Sequence, residues 1–246
     1  MKIFGILIGL LIVLCLFCGC VVININKGSG KSPQVSPSLA QTTPEPSPIT
    51  ISPLFWNTEV FGDGPAVTKT TRQLEIFLPS ASMDSGAGFF SGGIVSTFKL
   101  HGDFDVQTDF NLGEWPASSG VRSGMCARFN SSDGHSYAIE RASYGYNDGL
   151  SGTDVYLTDF STPTGIIPSN DMSGKLRIVR QGSQWSTYYF NNGKWNLDYQ
   201  MLNGDTRDVF IFLGAWGVNS QFIHKNVRLT FGNVIVNKGQ IIRPDK

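Results

Sequence analysis

The stretch Gly102 to Leu112, GDFDVQTDFNL, alternates without interruption. Phe104, Val106, Thr108, Phe110 and Leu112 fall on one side, and Asp103, Asp105, Gln107, Asp109 and Asn111 on the other. A side-chain period of two is that of a strand with one buried face and one wetted face. A helix of period 3.6 would scatter the three aspartates around its cylinder. Such a strand needs neighbours along both edges and a second layer over its apolar side, and the rest of the chain has to supply them.

The supply begins at Leu54. Leu54 to Phe61 reads as a first apolar strand, Leu74, Ile76 and Leu78 as a second, and Ile94, Ser96, Phe98 and Leu100 lead through His101-Gly102 into the long alternating segment. Val121 to Phe129 sets Val121, Ser123, Met125, Ala127 and Phe129 against Arg122, Gly124, Cys126 and Arg128. Further strands are predicted at Tyr137–Arg141, Val155–Phe160, Lys175–Gln181, Trp185–Phe190, from Trp195, and in the alternating runs from Val209 and Val227. Glycine-rich or polar loops fall at 80–93, 115–120, 130–134 and 144–152. Asn192-Gly193 offers the positive φ angles of a tight hairpin. About a dozen short strands with turns between them and no long helical period make a sandwich or barrel.

The front of the chain is different. Lys2 is followed by an apolar run from Ile3 to Ile23, the pattern of an export signal. Its end, Leu16-Phe17-Cys18-Gly19-Cys20, resembles a bacterial-type lipoprotein signal, in which a small residue precedes the cysteine that takes the lipid. Only Cys20 has one, because Leu14 and Phe17 precede the other two cysteines. An uncleaved transmembrane anchor and a plainly cleaved secretory signal are the other readings, since about 20 apolar residues can span a bilayer. All three place the domain outside the cytoplasm, anchored to the membrane in the first two. Residues 24–53 carry six of the 12 prolines with Ser, Thr and Gln, and read as a disordered tether reaching roughly 90 Å when extended. The organisation is therefore 1–23 signal or anchor, 24–53 linker and 54–246 one all-β domain.

Several stretches of that domain carry a resemblance: GDFDVQTDFNLGEWP, then VRSGMCARF followed by YAIER, and SGKLRIVRQGSQWSTYYFNNGKW. They resemble the concanavalin A-like lectin/glucanase superfamily in its extracellular bacterial and archaeal branch. The resemblance implies an antiparallel jelly-roll β-sandwich of two sheets, one of them concave. It implies less about activity, because that fold carries lectins, hydrolases, lyases and plain spacers.

The residues narrow the field. Nineteen basic and 19 acidic residues balance, with no run of Lys or Arg, so nucleic acid is not an expected partner. Glycoside hydrolases of the superfamily set carboxylates on one strand as Glu-x-Asp-x-x-Glu, to flank the scissile bond. This chain has no such triplet, and Asp103, Asp105 and Asp109 read as a solvated strand face. A calcium ion there would need loop oxygens as well, because same-face neighbours sit ~6.6 Å apart along a strand. No other cofactor is implied. His101, His135 and His224 lack metal spacing and read as surface or turn residues. Cys126 reads as a buried small apolar group. Trp185, Tyr189, Trp195 and Trp216 read as core. The binding candidates are Arg122, Arg128 and Glu140 as a charged floor, with Trp115, Tyr144 and Tyr146 as aromatic rim for stacking on sugar rings. The bland reading of the same residues is an ion pair and ordinary loop aromatics. The expected function is a surface-anchored, non-catalytic module for a carbohydrate. A polysaccharide-acting hydrolase or lyase and a structural envelope spacer are the alternatives.

Overall fold

A computed structural model describes residues 47–84, 86–129, 136–144, 153–160 and 163–243. Two antiparallel sheets face one another. The eight-stranded sheet contains β1 (Ile49–Ile51), β3 (Ala66–Lys69), β4 (Leu74–Leu78), β6 (Lys99–Glu114), β11 (Ser173–Gln181), β12 (Gln184–Asn191), β13 (Lys194–Met201) and β15 (Val227–Ile242). Its order is β13-β12-β11-β6-β15-β4-β3, with β1 also on β15. The seven-stranded sheet contains β2 (Asn57–Phe61), β5 (Phe89–Val95), β7 (Val121–Arg128), β8 (Ser136–Ser143), β9 (Asp154–Phe160), β10 (Pro163–Pro168) and β14 (Phe210–Val218), in the order β10-β9-β8-β7-β14-β5-β2.

The alternating segment lies inside β6, between β11 and β15. All five of its inward residues, Phe104, Val106, Thr108, Phe110 and Leu112, are buried. Its outward aspartates are held to β11 and the turn that follows it: Asp105 takes a two-pronged bond from Arg177, Asp109 pairs with Lys175 at 3.1 Å, and Asp103 accepts the Gly182 N–H at 2.7 Å. The polar face of this strand thus fixes its register on β11. Between the sheets Trp185 is fully buried, with Phe104, Phe129 and Tyr137 edge-on to it and its indole N–H donating to the Asp205 carbonyl at 2.8 Å. Arg180, in phase with the buried Leu176 and Ile178, also points inward. Its guanidinium lies over the Phe104 and Trp185 rings and donates to the carbonyls of Gly102 and Arg207. The charge is accommodated because its N–H groups find oxygens.

Several expectations change. The ordered sheet starts before Leu54: Ile49–Ile51, within the stretch read as tether, pairs with Val234–Val236 of β15. The first expected strand is split by a 3₁₀ turn at Pro53–Phe55, capped by Ser52, whose Oγ accepts the Leu54 N–H. β3 and β10 carry too little alternation to have been read, and β5 begins inside the expected 80–93 loop. The β12–β13 hairpin turns as expected, with φ of 53° at Asn192 and 75° at Gly193. Among the described residues no helix is long and apolar enough to cross a membrane. Cys20, the apolar run before it and most of the tether lie outside the described residues.

Candidate functional site

The outer face of the seven-stranded sheet carries the residues of interest, because Arg122, Gly124, Cys126 and Arg128 point away from the core while Val121, Met125 and Ala127 point into it. Cross-strand register assembles this face in rows. One row runs Glu59, Gly93, Gly214, Gly124, Glu140, Leu157 across β2, β5, β14, β7, β8 and β9. On one side lies the row Val95, Phe212, Cys126, Ala138, Asp159, and on the other Phe61, Ser91, Trp216, Arg122, Ala142, Val155.

Three adjacent strands thus place glycine side by side, and the missing Cβ atoms are used. A Cβ on Gly93 or Gly214 would run into the ring of Phe212, which therefore lies down over both. A Cβ on Gly124 would meet the Ile139 carbonyl and Glu140 itself. Phe212 in turn carries Arg128, whose guanidinium sits 3.5 Å from the ring centroid and donates to Glu59 Oε2 at 2.6 Å. A guanidinium stacked on an aromatic face and held by a carboxylate is fixed in orientation.

Glu140 is the electrostatic exception. It is 2% exposed, and its Oε2 has no hydrogen-bond partner. Arg122 Nη1 lies 3.7 Å from that oxygen but nearer Asp159 Oδ2, at 3.4 Å. Burial pushes the carboxyl up to about 8, with Arg122 only partly opposing it and Asp159 adding to it. At neutral pH Glu140 is therefore mainly the uncharged acid. Cys126, between Glu140 and Arg128 on the sheet, is buried as expected. Burial first, and Glu140 second, hold its thiol protonated.

The expected site divides. The structure brings Arg122, Arg128 and Glu140 to one face, but Arg128 pairs with Glu59, not with Glu140. Trp115 is not a rim residue. The chain bends inward after β6, the indole is buried in the core, and its N–H donates to Asp154 Oδ2 at 3.1 Å. Tyr144 does reach this face, beside Arg122 at 5.7 Å, but it is packed among Ala142, Val155 and Leu157 and offers no open ring face. Tyr146 lies outside the described residues. Trp195 and Trp216 are not core: Trp195 is half-buried on the outer face of the eight-stranded sheet, edge-on to Phe190 and under Arg177, and Trp216 is half-buried on the face described here. Trp185 is core, and Tyr189 packs against the core, stacked on Tyr156. The sequence reading missed Phe61 and Phe89, both exposed and stacked on each other with centroids 4.8 Å apart. Their signal was alternation with the buried Phe90 and with the Gly62 turn. His101 is exposed, pairing with Asp208, and His224 sits in a turn at φ 54°. Among the described residues no cluster of three or more His, Cys, Asp or Glu side chains could hold a metal.

No known protein family and no curated protein sequence matches this chain. Solved structures do. A prokaryotic β-1,3-1,4-glucanase (lichenase) from a mouse hindgut metagenome superposes with a TM-score of 0.53 at 12% identity, over 78% of this chain and 99% of that one. A Bacillus licheniformis β-glucanase gives 0.50 at 10% identity, over 78% and 99%, and a seed lectin of Lotus tetragonolobus gives 0.50 at 11% identity, over 80% and 100%. The sandwich has the concanavalin A-like fold, shared by glucanases and lectins. At these identities the likeness is one of fold.

Proposed function

We propose that this protein is a cell-surface-anchored, non-catalytic carbohydrate-binding module whose glycan lies on the outer face of the seven-stranded sheet. The observation that carries this reading is the half-exposed Trp216 on β14, toward one end of that face, with Arg122 on one side in its row and Ser91 and Phe61 on the other. Aromatic faces match the apolar C–H faces of sugar rings, and guanidinium N–H groups match their hydroxyls. The guanidiniums are already balanced, Arg128 by Glu59 and Arg122 by Asp159, so the ligand is a neutral glycan and not a uronate or sulfate ester. A hydrolase reading meets an obstacle. A general acid must reach the glycosidic oxygen, and among the described residues the one outer-face carboxyl with a raised pKa, Glu140, is covered.

Binding to a glycan array, followed by calorimetry on the best ligand, tests the reading. Trp216→Ala and Arg128→Ala should each weaken binding about tenfold or more, the latter because a hydrogen bond to a charged group contributes about 1.5–3 kcal/mol. Arg128→Ala should lower stability only modestly, since its partner Glu59 is 38% exposed and stays hydrated. Wild-type protein that binds no glycan, or a Trp216→Ala variant that binds as tightly, rejects the site. The surface address rests on residues 1–23. Mass spectrometry of membrane-extracted protein should find an acylated Cys20 at the amino terminus, whereas an intact Met1 would replace the lipid by an uncleaved anchor.

A further inference from the structure

A second candidate lies away from that face. The end of the sandwich where β9 starts, β10 runs into β11 and β12 ends holds an open cleft of about 380 Å³, lined by Thr153, Asp154, Pro168, Ser169, Asn170, Asp171 and Asn191. That volume is in the range of small-molecule sites, about 300–1,000 Å³. The lining is polar apart from Pro168, and it is tightly braced. Trp115 holds Asp154 Oδ2 at 3.1 Å, and Tyr156 and Asn191 both donate to Asp171 Oδ2, at 2.9 and 2.8 Å. The Asp171 N–H donates to Ser169 Oγ at 3.1 Å. Arg141, 1% exposed behind this wall, donates through Nη2 to the carbonyls of Ser169 and Asp171.

What the bracing leaves open is informative. Asp154 Oδ1 is buried without a partner, and so are Nε and Nη1 of Arg141. Among the described residues neither aspartate has a cation within ion-pair distance, although Arg141 is near enough to feel both. Two carboxylates against one guanidinium leave the cleft with one uncompensated negative charge among the described residues. A monovalent cationic group restores balance, whereas a divalent metal would exceed it, would face Arg141, and would find only two carboxylates where such ions take six to eight oxygens.

We propose that this cleft binds a primary ammonium group, with Asp154 and Asp171 as its acceptors and Asn191 Oδ1 beside them, and that its ligand is an amino sugar. The ammonium follows from the cleft alone. The choice of an amino sugar among amines rests on the glycan reading of the protein, and its hydroxyls suit the amide of Asn170 and the hydroxyls of Ser169 and Thr153.

Calorimetry with glucosamine, glucose, N-acetylglucosamine, methylamine and calcium chloride tests this on the wild-type protein. Glucosamine should bind at least tenfold more tightly than glucose or N-acetylglucosamine, with methylamine binding weakly and glucosamine affinity falling as pH rises through the amine's own pKa. Asp171→Asn and Asp154→Asn, which keep an acceptor for Tyr156 and Trp115, should each cost tenfold or more in glucosamine affinity with unchanged melting in its absence. Trp216→Ala should leave glucosamine binding intact, so failure of the outer-face site does not touch this one. Methylamine binding without a preference for glucosamine would remove the amino sugar and keep the ammonium site. Equal binding of glucose and glucosamine, tighter binding of calcium, or unaltered affinity in both aspartate variants overturns the proposal.

Discussion

Replacing Glu140 by Gln should stabilise the domain by several kcal/mol above pH 8 and leave it unchanged near pH 4. In the unfolded chain the carboxyl titrates near its ordinary value of 4.5, and in the fold at about 8, because burial disfavours its charged form. Below 4.5 both states hold the proton and the group makes no difference. Between 4.5 and 8 the unfolded state loses its proton first. Fewer protons are then bound in the unfolded state, so stability falls as pH rises, and it levels off above the folded value. At about 1.4 kcal/mol per unit, the fall over this window is on the order of 5 kcal/mol. A glutamine has the shape of the neutral acid and never ionises, so the variant escapes the fall. Asp198, raised to about 7 by burial with Thr158 opposing, adds a fall of the same sign that Glu140→Gln leaves in place. Chemical denaturation of both proteins from pH 4 to pH 9 measures the difference. Parallel profiles would mean that Glu140 ionises in the fold and that Arg122, 3.7 Å away, compensates its charge.

The same residues show how far the sequence could be read. Parity along a strand settles which side a residue faces, and there the reading was sufficient. The five inward residues of β6 are all buried, and Arg122, Arg128 and Glu140 share the outer face. Arg141 and Arg180 are also buried, in phase with Ile139 and Ile178, a placement that alternation allows and charge alone opposes. Only the structure supplies the carbonyls that make an inward guanidinium tolerable. What parity cannot give is which strands become neighbours. Glu59 reaches Arg128, 69 residues on in sequence, because β5 and β14 lie between β2 and β7. Nor can it say where a chain turns after a strand ends, and on that the assignment of Trp115 to the rim failed. Gly93, Gly124 and Gly214 lie far apart in the sequence. Their alignment in one row is a property of the register alone.

That alignment leads to the second large effect. Gly214→Ala and Gly124→Ala should both destabilise the domain, but only the first should be repaired by removing a ring. A Cβ on Gly214 falls inside van der Waals contact with the Phe212 ring, while the nearest backbone atom, the Gly92 oxygen, is 3.1 Å away. A Cβ on Gly124 falls instead against the Ile139 carbonyl oxygen, with the Glu140 Cα at 2.9 Å, and no rotamer moves either atom. Overpacking of this kind costs about 1–3 kcal/mol where a side chain can yield, and more where backbone must shift. Phe212→Ala alone should cost about 3–5 kcal/mol, because a buried ring is lost and Arg128 loses the surface it stacks on. In the pair Phe212→Ala with Gly214→Ala the new methyl enters the space the ring has left. The double variant should therefore be no less stable than Phe212→Ala, with a coupling as large as the whole cost of Gly214→Ala. Phe212→Ala with Gly124→Ala should be additive to within about 0.5 kcal/mol, since their clashes share no atoms. Additive costs in both pairs would show that Phe212 does not lie on the glycine row, and with it would go the fixed position of Arg128 on the face proposed to bind glycan.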